Sequence, residues 1–116
     1  MKSIELNIRE ELGSPSALTR EQGEIIYSRI YPVLKSGGDV TLDFGEIESI
    51  ITPFLNVAIG KLYKDFSSDQ LNEHLQISNA TNSLYSKMRM VIENAKRFYK
   101  DQDNFTNTVK ETINLA

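Results

Sequence analysis

The 116-residue chain has no cysteine and a single histidine, His74. Without cysteine there is no disulfide framework, no thiolate nucleophile and no thiolate metal site, which suits a reducing compartment. Long apolar runs are missing too. The start MKSIELNIREEL is charged from residue 2 onward, so neither a signal peptide nor a membrane span is expected there, and the expected setting is soluble and cytoplasmic. Nor is there an excess of basic charge. The net charge is −3, with 7 Lys/Arg against 12 Asp/Glu over residues 1–80 and 6 against 4 over residues 81–116. A dedicated nucleic-acid domain carries a denser basic stripe than this.

At 40% hydrophobic and 25% charged residues, the chain fits one globular domain with a single core. SIELNI alternates, so Ile4, Leu6 and Ile8 are expected on one face of a first strand, followed by the loop ELGSPSA. Thr19-Arg20-Glu21-Gln22 has the spacing of a capping box and predicts a helix start. Ile26, Ile30 and Val33/Leu34 would form that helix's buried stripe, with Pro32 thinning its last turn. Ser36-Gly37-Gly38-Asp39 breaks the pattern.

VTLDF then reads as a central strand, its apolar positions Val40, Leu42 and Phe44. From Thr52-Pro53 a second helix is expected, with Phe54, Leu55, Ala58, Ile59, Leu62 and Tyr63 on one face. Ser67 to Gln70 opens a short helical turn, and LQISN is a brief strand. Asn82 to Lys100 is strongly amphipathic through Leu84, Met88, Val91/Ile92, Ala95 and Phe98/Tyr99. Asp103 to Ala116 is expected as a last helix with Phe105, Val109 and Ile113 aligned. The alternation of strands and helices predicts an α/β fold, with a small sheet of three or four strands and helices packed mainly on one face.

Self-sufficient catalytic motifs are not found. His74 sits in the charged run SDQLNEHLQ and reads as a solvated helix end, with no second ligand or base placed by motif. Asp43, Glu46 and Glu48 cluster, but their spacing matches no calcium-loop signature, and a solvated rim is expected. Gly37, Gly38 and Gly45 fit neither GxGxxG nor a phosphate loop. Thr52 before Pro53 reads as a helix N-cap, because the hydroxyl accepts an orphan amide and the proline lacks one. The same position suits a phosphoryl switch, which would gain from free amides while changing surface charge by nearly two units.

The run from Thr41 to Tyr63, a strand, LDFGEIESI and then Thr-Pro at a helix start, resembles the phosphorylation-site region of STAS domains of the anti-sigma-factor antagonist type. LTREQG, VTLDFGEIESI, TPFLNVAIGKLY and LQISN together resemble the uncharacterised STAS-like family over residues 1–100, with 101–116 a C-terminal helical extension of the same domain. The resemblance implies a non-enzymatic regulatory protein-interaction module in a bacterial cytoplasm. It implies a partner of the histidine-kinase-type (GHKL) ATPase class and no cofactor or metal. Aligned on the strand, the phosphoacceptor serine of the antagonist motif falls on Thr52, with Ile51, Pro53 and Phe54 at the flanking motif positions; Ser49 is the second candidate hydroxyl. The implied binding face takes in Gly45, Glu46, Glu48, Thr52, Asn56 and Lys61. Two other classes stay open: a small nucleic-acid-associated protein using Lys87, Arg89, Lys96, Arg97 and Lys100 on helix 82–100, and a small enzyme with an unrecognised site.

Overall fold

A computed structural model describes the backbone of residues 2–115 and the side chains of residues 2–99. The elements run β1 (Ser3–Asn7), α1 (Ile8–Leu12), β2 (Ser16–Ala17), α2 (Arg20–Lys35), β3 (Asp39–Asp43), β4 (Ser49–Ile50), α3 (Thr52–Ala58), a 3₁₀ helix (Gly60–Lys64), α4 (Ser68–His74), β5 (Leu75–Ser78) and α5 (Asn82–Leu115). This is an α/β fold with two small parallel sheets, one of order β1-β3-β5 and one pairing β2 with β4.

Strand β3 is central, as its apolar alternation predicts. Val40 and Leu42 are fully buried, while Asp39, Thr41 and Asp43 on the other face stay half-exposed. The same division continues across the sheet, with Leu6 inside and Glu5 and Gln76 outside. Parallel sheets are usually covered on both faces; here one face is apolar and packed and the other is polar. Helix α2 lies against β3 and α3, and α3 packs in turn on α5. Ile26, Ile30, Phe54, Leu55, Leu62 and Val91 join the strands' inner residues in one core.

Several expectations need correction. Ile8 is buried but does not extend β1: it opens α1, whose start is capped by the Asn7 side chain accepting the Glu10 amide at 2.9 Å and whose end is Gly13 in the left-handed region. The loop expected over ELGSPSA therefore holds the end of a helix and strand β2. The helix expected over 53–64 is broken at Ile59, and a 3₁₀ turn follows. There Gly60 is buried, and a Cβ added to it would meet Val91 and Ala95 of α5 at 3.6 and 3.8 Å. The stripe Phe105, Val109 and Ile113 lies outside the residues whose side chains are described, as does Lys100.

Candidate functional site

The junction of β4 with α3 is assembled from three separate parts of the chain. The carbonyl of Pro15 accepts the Glu48 amide at 2.8 Å, and that of Ala17 accepts the Ile51 amide at 3.2 Å, so the segment lies in register beside β2. Ile50 turns inward, while Ser49 and Ile51 face out. From 37 residues away, Lys87 on α5 donates through Nζ to the Ile50 carbonyl at 2.9 Å. At the start of α5 the Thr81 hydroxyl accepts the Leu84 amide at 3.1 Å. Between these walls lies a groove of about 530 Å³, lined by Leu18, Glu48, Ser49, Ile51, Thr81 and Lys87 among others. Its rim is partly apolar, since Leu18 and Ile51 are 41% and 40% exposed.

Thr52 does not line this groove and is not the helix cap. The N-cap of α3 is Ile51, in extended conformation with φ −127° and ψ 164°, and no side-chain hydrogen bond closes the helix. Proline at the second helical position still replaces an amide that has no intrahelical acceptor, so the start tolerates the one-residue shift. Leu55 stands three residues after Thr52, where a capping box would need Glu or Gln. Phe54 and Leu55 are both fully buried, so packing fixes this helix start.

The other residues of the expected binding face are dispersed. Gly45 and Glu46 form a turn closed by the Ile47 amide on the Phe44 carbonyl at 3.2 Å. Glu46 has φ +65° there and pairs with Arg9 at 3.2 Å. Asn56 and Lys61 line a separate hollow of about 490 Å³ between α3 and α5, together with Arg20, Gly60 and Phe98. Lys61 is held by Glu24 of α2 at 2.9 Å and lies 4.5 Å from the centre of the Tyr27 ring. The geometry thus joins Glu48 and Ser49 with Lys87, and separates them from Gly45, Glu46, Thr52, Asn56 and Lys61.

The three carboxylates grouped in sequence diverge as well. Asp43 accepts from Asn79 at 2.9 Å and from the Gly45 amide at 2.8 Å. These two bonds, the Asn79 side chain first, hold its pKa below the usual carboxylate value. Among the described residues no group of three His, Cys, Asp or Glu is placed to hold a metal ion. His74 is not a solvated helix end: its ring is half-buried, and Nδ1 lies 2.7 Å from Asp39 Oδ1. That contact ties the end of α4 to the start of β3, a tertiary role the local charged run conceals.

The basic residues of α5 do not form one stripe. Lys87 is turned into the β4 groove, whereas Arg89 and Lys96 line a hollow on the far flank, with Lys96 also 5.9 Å from the Tyr63 ring centre. No helix among the described residues is long and apolar enough to cross a membrane.

A search of curated proteins and a search of solved structures each return no match. A family model described as a STAS-like domain of unknown function matches residues 22–85, more than half of the chain. The match runs from the first turn of α2 through β3, the β4–α3 junction and β5 to the first turn of α5. The chain belongs to this STAS-like domain family.

Proposed function

We propose that the protein is a non-enzymatic regulatory interaction module that docks a protein partner on the β4–α3 junction, and that the partner is an ATPase or kinase of the GHKL class. The observation that carries the reading is the character of the groove. An exposed hydroxyl, Ser49, stands between exposed apolar side chains, Leu18 and Ile51, with one ammonium, Lys87, in the same lining. Exposed apolar side chains at a rim are what a docking surface offers, and a hydroxyl among them is positioned to change that surface by phosphorylation.

Of the two candidate phosphoacceptors, Ser49 is favoured over Thr52. Ser49 is exposed on the groove, whereas Thr52 is half-buried outside it. A phosphoryl group on Ser49 would share the groove with Lys87 while placing a dianion beside Ile51 in the docked face. Family membership supports the module reading at the level of the fold, and the sequence resemblance supplies the partner class.

The test is capture from native cytosol with the tagged protein, followed by incubation of the captured fraction with ATP and mass spectrometry of the protein. The expected result is recovery of a GHKL-type ATPase and phosphate on Ser49. Phosphate on Thr52 alone would move the switch to that residue. Capture of the same proteins by an Ile51→Asp variant would remove the docking face from this junction.

A further inference from the structure

Among the described residues the sheet β1-β3-β5 ends in two unpaired edges, and they differ. The Phe44 amide bonds the Ser78 carbonyl at 3.0 Å, so the backbone groups of Ser78 and Gln76 point toward β3. Alternation then turns those of Leu75 and Ile77 outward. Two of these outward groups are engaged within the chain. The Leu75 amide closes α4 on the Leu71 carbonyl, and the Tyr85 hydroxyl reaches the Ile77 carbonyl at 3.4 Å. What the edge still offers is one acceptor, the Leu75 carbonyl, and one donor, the Ile77 amide.

An acceptor and a donor flanking one residue are related by a two-fold axis through that residue. We propose that β5 pairs antiparallel with β5 of a second copy of this chain about an axis at Gln76, giving a continuous six-stranded sheet. Each Ile77 amide then donates to the other copy's Leu75 carbonyl, and the engaged groups keep their partners. In an antiparallel ladder the residue between two hydrogen-bonded pairs is a non-bonded pair. Gln76 fits that place, since its own groups are directed to β3 and its side chain is exposed.

The surroundings of the edge match a copy of themselves. Beside β5 lies a hollow of about 410 Å³ with Ile77, Tyr85, Met88 and Ile92 on its apolar side and Arg89, Glu93 and Lys96 on its rim. Arg89 and Glu93 are in no ion pair among the described residues. Two α5 helices brought together antiparallel set each Arg89 against the other copy's Glu93, which makes the interface isologous in charge as well as in backbone. Edge β1 lacks this property. Its centre is Glu5, so a two-fold pairing there would place two carboxylates opposite each other.

This surface is on the flank of α5 away from Lys87, so its test is independent of partner docking. Sedimentation velocity of the full chain over a rising concentration series should show passage from 13.2 kDa to twice that mass. Gln76→Lys puts two ammoniums opposite each other at the axis, and Arg89→Glu turns two attractions into two repulsions. Each should weaken the dimer roughly tenfold while leaving the circular dichroism of the monomer unchanged. The double variant Arg89→Glu/Glu93→Arg should restore association. A wild-type chain that stays monomeric throughout, a dimer indifferent to Gln76→Lys, or a double variant as weak as Arg89→Glu would each overturn the proposal.

Discussion

The Thr19 hydroxyl accepts the Gln22 amide at 3.0 Å, and the Ser67 hydroxyl accepts the Gln70 amide at 3.1 Å, each with the glutamine side chain returning to the cap amide. Gln22 does more than close its box, because its Nε2 also donates to the Ser16 carbonyl of β2 at 3.0 Å. Loss of such a cap costs about 1 kcal/mol. Thr19→Ala and Ser67→Ala should each lower stability by about that amount in chemical denaturation. Thr52→Ala, with no cap bond to lose, should fall within about 0.5 kcal/mol of wild type. A loss at Thr52 equal to that at Thr19 would return Thr52 to the cap position. Asp43 supplies a pH dependence. Its folded-state pKa is lowered by the bonds from Asn79 and Gly45, so its contribution is complete above the unfolded carboxylate value near 3.9 and is lost as pH falls through the lower folded value. The stability difference between wild type and Asp43→Asn should therefore be constant near neutrality and shrink below about pH 4, as read from urea midpoints across pH.

Helices α2 and α3 meet at Gly23, where an added Cβ would come within 2.8 Å of both the Phe54 carbonyl oxygen and the Val57 Cβ. Alanine is the better helix former by about 1 kcal/mol, but backbone and a β-branched side chain cannot move aside without shifting one helix. Gly23→Ala should be net destabilising by about 1–3 kcal/mol, and an unchanged denaturation midpoint would show that the helices separate freely. At this scale the readable elements were those with enough residues to express a period: α2 through Ile26, Ile30 and Leu34, β3 through Val40 and Leu42, and α5 through Leu84, Met88 and Val91. Helix α1 has five residues and β2 and β4 two each, too few for a 3.6- or two-residue repeat. The Asn7 cap and Gly13 at the two ends of α1 were the available signal. The break at Ile59 was hidden for another reason: the apolar stripe continues through Ile59 and Leu62, both buried, so the pattern runs unbroken across the change from α-helix to 3₁₀ helix.

Across the whole molecule, the fold class followed from the order of patterned segments, whereas the groove did not, because its members come from the end of β2, the segment around β4 and the start of α5. Leu18, Ser49, Thr81 and Lys87 share no local motif, and the lysine is joined to Ile50 only by tertiary structure. The resemblance in sequence pointed to the junction and ranked Thr52 first; the three-dimensional lining favours Ser49. These two rankings lead to different outcomes for charge substitution. Ser49 is exposed beside a lysine-bearing wall, so Ser49→Glu should leave the melting temperature close to wild type. In a docked complex the same carboxylate would lie against Leu18 and Ile51 and the partner's surface, where an incompletely paired charge costs about 2 kcal/mol or more. Isothermal titration of the proposed partner, once capture supplies it, should therefore show a large loss of affinity for Ser49→Glu and a smaller one for Thr52→Glu, whose side chain starts outside the groove. Equal affinity for Ser49→Glu and wild type would exclude the groove as the interface, and a loss confined to Thr52→Glu would shift the docked face along α3 toward Asn56.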